Sequence, residues 1–298
     1  MKLFVFGYGY AGEALARRLG CEVAATARDG ARAHELRAGG VTPVDPADRA
    51  AMASALADAT AILVTSPPGE GGCPGLNAMV PALAASAAFP DWIGYLSTTG
   101  VYGDREGRWV FETSPLAARS IEGARRMRAE RDWLQVGRGM GLTVQVFRLP
   151  GIYGPGRSAF ERLRDGTARH IVKPGQVFSR IHVEDIAGGL TASIAQPRAG
   201  AKYNLCDDEP APPQDVIAHA ARLLGIDPPP EIAFDEATLP PAAARFYAEN
   251  KRVSNALAKA ELGWRPAFPT YREGLEAIFK ALPPGWGKGW DGGGGLSG

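Results

Sequence analysis

Lys2-Leu-Phe-Val-Phe6 runs directly into Gly7-Tyr-Gly-Tyr-Ala-Gly12, and the stretch Ala11–Leu19 that follows is rich in alanine and leucine. Four apolar residues in a row, without alternation, suit a strand covered on both faces. The glycines obey GxGxxG, a spacing that means little alone in a chain with 38 glycines, since Gly287/Gly289/Gly292 and Gly293/Gly295/Gly298 obey it too. Context separates the first from the others: a buried-type strand precedes it and a helix follows. In that setting the first glycine makes a tight turn and the second lets backbone approach a pyrophosphate. The third lets helix and strand pack closely, so that the helix N-terminus points at the phosphates. Gly7, Tyr8, Gly9, Tyr10, Ala11 and Gly12 are therefore candidate dinucleotide contacts; a tight turn without a ligand is the alternative.

The same rhythm continues. Val23–Thr26, Val41–Val44, Ala61–Thr65, Trp92–Ser97 and Thr143–Arg148 read as strands, and Ala31–Ala38, Arg49–Asp58, Leu76–Ala88 and Ser120–Val136 as helices between them. Strand–helix alternation of this kind predicts an α/β fold, a Rossmann-type doubly wound parallel sheet over residues 1–150. Beyond Pro150, the segments Ser158–Arg164, Glu184–Ala195, Pro213–Leu224, Thr238–Glu249, Val253–Leu262 and Tyr271–Leu282 look helical, with prolines crowded between them. They predict a smaller, helix-rich C-terminal substrate portion (151–176 and 206–282), with elements around 177–205 returning to the core. The glycine-rich tail, 283–298, lacks apolar periodicity and is expected to be disordered.

Composition narrows the function classes. With 298 residues, 45% hydrophobic and 22% charged at a net charge of +1, the chain is no obvious partner for nucleic acid or an anionic membrane. No apolar run reaches the ~18 residues of a membrane span. Lys2 is followed by only four apolar residues before the glycines, so the start does not read as a signal peptide. Cys21, Cys73 and Cys206 are scattered and form no CxxC, which predicts neither a disulfide framework nor a metal site and suits a reducing cytoplasm.

The end of the second strand bears on the choice of dinucleotide. A carboxylate there holds the adenosine ribose hydroxyls of NAD, whereas a cation suits the 2′-phosphate of NADP. The run Ala24-Ala-Thr26-Ala27-Arg28-Asp29 places alanine at the acidic position and Arg28 after it. NADP is favoured, and NAD stays possible if Asp29 turns inward.

Further landmarks follow in order: Ser97-Thr-Thr-Gly-Val-Tyr102-Gly103, Glu112-Thr-Ser-Pro115, Arg148-Leu-Pro-Gly-Ile-Tyr153-Gly-Pro-Gly156, Arg180-Ile-His-Val-Glu-Asp185, Tyr203-Asn-Leu and Leu262-Gly-Trp264-Arg-Pro266. Together, over about residues 1–282, they resemble the extended short-chain dehydrogenase/reductases, the family of nucleotide-sugar epimerases and dehydratases. The resemblance implies a cleft between the Rossmann core and the C-terminal portion. It also implies cofactor contacts at Thr65, Ser66, Pro67, Ser97, Pro150, Gly151 and Ile152, and a substrate-orienting hydroxyl at Thr98 with Thr99 beside it. Arg180 falls where family members meet substrate phosphates. By the same analogy the chain is a monomer or a homodimer paired through Leu76–Ala88 and Ser120–Val136.

The family's YxxxK pair, which moves the proton and holds the nicotinamide ribose, is missing. Alignment of Gly123 and Glu130 puts Glu122 at the tyrosine position and Arg126 at the lysine position. These two form either an i,i+4 ion pair on a helix face or a proton acceptor and a ribose or phosphate contact. Tyr102 and Tyr153 could serve as stand-in phenols, or could simply pack. Tyr247 and Lys251 have the i,i+4 spacing, but their segment lies in the C-terminal half and cannot serve as this helix. His182 reads as structural and Asp185 as a helix cap. The expectation is an NADP(H)-binding oxidoreductase or epimerase-like enzyme acting on a small polar or nucleotide-linked substrate. The rival is a catalytically silent NADP(H) sensor or regulatory subunit, since fold alone does not secure activity.

Overall fold

The computed structural model describes residues 1–86, 89–235, 239, 244, 246–284 and 286. Half of the expected helix Thr238–Glu249 and nearly all of the glycine-rich tail lie outside these residues. Among the described residues, no helix is long and apolar enough to cross a membrane, and no group of three or more His, Cys, Asp or Glu could hold a metal ion.

Seven strands form one parallel sheet: β1 (Lys2–Phe6), β2 (Glu22–Thr26), β3 (Thr42–Val44), β4 (Ala61–Val64), β5 (Trp92–Thr98), β7 (Val144–Leu149) and β11 (Lys202–Asn204). Their order is β11-β7-β5-β4-β1-β2-β3. The direction of winding reverses between β1 and β4, so a crevice opens at the carboxyl ends of those two strands. The Rossmann-type doubly wound sheet expected from the sequence is what forms.

The unbroken apolar runs have a direct physical reading. Along β1, Leu3 and Val5 enter one core cluster while Phe4 and Phe6 enter the other. On β4, Ala61 and Leu63 face the first layer and Ile62 and Val64 the second. Helices α1 (Tyr10–Leu19) and α7 (Val183–Ala195) cover one face. Helices α3 (Arg49–Asp58), α4 (Pro74–Ser86) and α5 (Ile121–Met140) cover the other. The remaining helices labelled here, α2 (Gly30–Ala38), α6 (Ala159–Arg164) and α8 (Pro213–Leu224), lie at the β2–β3 edge and in the C-terminal half.

Among the described residues, three short parallel pairs accompany the sheet: β8 (Gly151–Tyr153) with β10 (Arg180–His182), β9 (His170–Val172) with β12 (Glu231–Ala233), and β6 (Trp109–Val110) with β13 (Arg252–Val253). A separate cluster built on Phe160, Leu163, Ile217, Tyr271 and Leu275 holds α6, α8 and the last helix, Tyr271–Ala281, together. Ala258, Leu262 and Trp264 instead join the core on the α1/α7 face.

The start of α7 corrects one reading. His182, not Asp185, caps the helix, its Nδ1 accepting from the Glu184 amide at 3.2 Å, and burial holds its pKa down near 4. The Asp185 carboxylate reaches across the fold instead, accepting from the amides of Ala267 at 2.6 Å and Phe268 at 3.2 Å. Burial pushes its pKa up to about 6 from the ordinary 3.8, in spite of those two bonds. A carboxyl whose folded pKa is raised binds its proton more tightly in the folded state. Its contribution is therefore present at low pH and declines as pH rises through about 4 to 6. The difference in unfolding free energy between the native protein and Asp185→Asn, measured by urea denaturation, is expected to fall by on the order of 2 kcal/mol between pH 4 and pH 7. A difference that stays flat with pH contradicts this assignment.

Candidate functional site

The strand order places the expected contacts in one row. Pro150–Gly151 follow β7, Ser97–Thr98 end β5, Thr65–Pro67 follow β4, Gly7–Gly12 follow β1, and Arg28 follows β2. All sit at the carboxyl edge of the sheet, where crevices of open α/β folds lie.

Each glycine of the turn meets a different demand. Gly7 has φ +92° and its amide donates to Thr26 Oγ1 at 2.9 Å. A Cβ added there would lie 2.9 Å from Thr65 Oγ1, and the Thr65 hydroxyl in turn donates to the Gly7 carbonyl. At Gly12 an added Cβ would come within 3.1 Å of Val5 Cγ1, so this glycine lets α1 sit down on β1. Gly9 is exposed, with nothing within 4 Å of where a Cβ would be. It caps α1 without a side-chain hydrogen bond, and the first amides of a helix have no intrahelical acceptor. The turn therefore presents free backbone donors and an open surface at the positive end of a helix dipole, which fits a dinucleotide pyrophosphate. Beside it, Ser66 Oγ is buried without a hydrogen-bond partner among the described residues. The Tyr10 hydroxyl donates to the Pro155 carbonyl at 3.0 Å, tying the helix start to the loop after β8.

At the end of β2, Arg28 is exposed. Asp29 accepts from the Arg32 amide at 2.8 Å as the cap of α2. Arg32, which the sequence did not single out, reaches back to the glycine turn, donating to the Tyr8 carbonyl at 2.6 Å.

At the other end of the row lies a cavity of about 500 Å³ lined by Thr98, Thr99, Ser120, Glu122, Pro150 and Gly151. Thr98 Oγ1 accepts from the Gly100 amide at 3.1 Å, capping the short 3-10 turn Thr99–Tyr102. Glu122 comes from the first turn of α5, whose cap is Ser120. Arg126 does not line this cavity. It donates to the Leu96 carbonyl at 2.6 Å and to the Tyr95 hydroxyl at 3.1 Å.

Two further expectations change place. Ser97 donates to Glu130 Oε1 at 2.5 Å, and Glu130 forms a buried ion pair with Arg148, whose Nη2 lies 2.8 Å from Glu130 Oε2. Tyr102 is wholly buried, donating to Asn204 Oδ1 at 2.7 Å and accepting from Arg148 at 2.9 Å. Burial raises its pKa to about 12. Tyr102 is therefore packed beneath the cleft, the second of the two alternatives the sequence offers for it.

A second cavity of about 440 Å³ adjoins the first, sharing Gly151, Phe178, Ser179 and Phe246 with it. Ile152, Tyr153 and Arg180 line it, together with Arg157 and Arg162, which sequence reading passed over. Tyr153 is nearly buried and has its pKa pushed up by burial. Arg180 donates to the carbonyls of Phe178 and Ala211 at 2.9 and 3.1 Å. The three arginines suit an anionic group on a ligand. Lys251 and Glu249 also line the first cavity. Their segment is no substitute for α5, as the sequence indicates, yet the β6–β13 pairing brings it to the same cleft.

No family model matches the chain. Protein YeeZ of Escherichia coli (strain K12) is 34% identical over 185 residues, 59% of this chain and 63% of YeeZ, so the match spans less than two thirds of that relative's length. A 3-diazoavenalumate denitrifying reductase from Streptomyces sp is 31% identical over 148 residues, 45% of this chain and 46% of the reductase. The solved structure of a conserved protein of unknown function from Silicibacter pomeroyi DSS is 48% identical, with a TM-score of 0.85 over 94% of this chain and 98% of that one. The dTDP-glucose 4,6-dehydratase DesIV of Streptomyces venezuelae, a double mutant solved with NAD bound, is 20% identical with a TM-score of 0.76 over 98% of both chains. At that identity the likeness is one of fold. This chain and the Silicibacter protein belong to one family, built on the fold of the NAD-dependent epimerases and dehydratases.

The buried Glu130–Arg148 pair underlies both Ser97 and Tyr102. Glu130→Gln leaves the Arg148 charge buried without its counter-ion and is expected to cost about 3–5 kcal/mol of unfolding free energy. A loss below about 1 kcal/mol in chemical denaturation contradicts that role.

Proposed function

We propose that the chain binds a nicotinamide dinucleotide along the row of strand ends, NADP(H) in preference to NAD(H). We further propose that it acts as an oxidoreductase or epimerase-like enzyme on a small polar, anionic or nucleotide-linked substrate. The observation that carries this reading is the turn at Gly7–Gly12, with helix amides that have no intrahelical acceptor, an open face at Gly9 and close packing where a side chain would stand at Gly7 or Gly12.

The chain's own residues divide the work. The amides at the start of α1 hold the pyrophosphate, and Arg32 fixes the turn through the Tyr8 carbonyl. Arg28 meets the adenosine end; Asp29, committed to capping α2, leaves a cation there and not a carboxylate. A bound dinucleotide supplies the hydride donor or acceptor. Thr98 accepts from its own turn and so keeps its hydroxyl proton for a substrate oxygen. Glu122 stands on the same cavity as a proton acceptor. Arg157, Arg162 and Arg180 take the anionic end of the substrate.

The silent-sensor reading also has an observation in its favour. Among the described residues lining the Thr98 cavity there is no tyrosine, and Arg126 is held at Leu96. Titration with NADPH and NADH, followed by turnover against nucleotide sugars and simple carbonyl compounds, separates the two. The enzyme reading predicts turnover that falls at least ~100-fold in Thr98→Val or Glu122→Gln; tight binding without any turnover supports the sensor. Arg28→Ala is expected to weaken NADPH binding about tenfold or more with little change for NADH, and equal effects on both contradict the NADP preference. A protein that binds neither dinucleotide contradicts the whole reading.

A further inference from the structure

Residues 249–252 are fastened between two loops with unusual thoroughness. The Asn250 carbonyl accepts from the amides of Arg105 and Gly107, each at 2.9 Å. Its amide donates to Asp104 Oδ1 at 2.8 Å, and its side chain bonds the Val177 amide at 3.2 Å and the Gly175 carbonyl at 2.9 Å. Gln176 donates to the Glu249 carbonyl at 2.8 Å. Arg252 donates to the Gly107 carbonyl. This clasp carries Glu249 and Lys251 to the wall of the Thr98 cavity, their side chains 21% and 11% exposed.

Lys251 Nζ donates to the Gly103 carbonyl at 2.9 Å and to the Glu249 carboxylate. Gly103 closes the short turn that Thr98 opens, so the Lys251 ammonium and the Thr98 hydroxyl are held to one another through four residues. An ammonium has three donors. Among the described residues two acceptors account for two of them, and the third donor remains on a group that lines the cavity. Among the described residues that line this cavity, Lys251 is the one cation; the carboxylates are Glu122 and Glu249. Backbone bonds through Asn250 already secure the clasp, and a nearly buried ion pair contributes little net stability, so fastening the loops does not by itself call for this lysine.

We propose that Lys251 is the cation that holds the ligand's reacting oxygen in the Thr98 cavity, with Glu249 moderating its charge. The inference rests on the dinucleotide reading above and adds to it the group that the missing YxxxK pair leaves unassigned. Glu249 sets the strength of the site: its carboxylate offsets the ammonium charge, so the pair suits a polarised carbonyl or hydroxyl oxygen better than a free anion.

Sulfite is a suitable probe, because it adds reversibly to an oxidised nicotinamide ring and places sulfonate oxygens where a reacting oxygen would lie. The full-length protein would first be titrated with the oxidised dinucleotide, and then with sulfite while the adduct absorbance is followed. Dinucleotide affinity is expected to be unchanged in Lys251→Met, with adduct affinity reduced about tenfold or more, and Lys251→Arg is expected to restore most of it. Glu249→Gln is expected to strengthen the adduct. Equal adduct affinity in Lys251→Met and the native protein overturns the proposal, as does absence of an adduct in every variant including Glu249→Gln. Loss of dinucleotide binding along with the adduct in Lys251→Met also overturns it, by making Lys251 part of the clasp alone. A native protein that binds no dinucleotide overturns the earlier reading, and this one with it.

Discussion

The close approach of α1 to β1 and β4 is the constraint on which the rest of the molecule depends. Where Gly12 faces Val5 there are 3.1 Å for any added carbon, and where Gly7 faces Thr65 there are 2.9 Å. A side chain at Gly12 would crowd Val5 by a few tenths of an ångström, and one at Gly7 would meet Thr65 at a φ of +92° that side chains rarely adopt. Because β1 is central, with β4 on one side and β2 on the other, the position of this turn fixes where the edge residues of both neighbours stand. Thr26 and Thr65 reach in from either side and bond the same residue, Gly7. Local geometry and global topology thus agree at one point, as a well-specified fold requires.

Much of this is legible in the residues themselves. Leu3–Phe6 and Ala61–Val64 are apolar throughout, and Val144–Leu149 is apolar but for Gln145 and Arg148, because both faces of the sheet are covered, and such runs can be read without any structure. The row of candidate contacts is legible for a related reason: parallel strands point the same way, so whatever follows each of them lies at one edge. Strand boundaries were also close, since the runs end at glycine, proline or polar residues.

What escaped is tertiary. Ser97 and Tyr102 sit beside Thr98 in sequence, but the buried Arg148 and Glu130, from β7 and α5, draw both of them beneath the cleft. An arginine within an apolar strand hints at such a centre; its partner 18 residues earlier does not announce itself. Asp185 looks like a cap because it begins a helix, yet its acceptors are satisfied by Ala267 and Phe268, more than 80 residues away. Lys251 shows in the sequence only its i,i+4 spacing from Tyr247, which does not place it at the cleft. Its position comes from a two-residue strand pairing, β6 with β13, and from an asparagine that bonds two loops at once. Chemistry assembled by long-range hydrogen bonds is the part a one-dimensional reading cannot reach.

The central claim is that one ligand lies across the strand ends from Gly7 to Gly151. Amide hydrogen exchange with and without NADPH, resolved by peptide, tests it most directly. Added protection is expected in the peptides covering Gly7–Gly12, Thr65–Pro67 and Gly151–Ile152, with the outer helix surfaces unchanged. Protection confined to other segments, or no change in the Gly7–Gly12 peptide at saturating NADPH, contradicts the account.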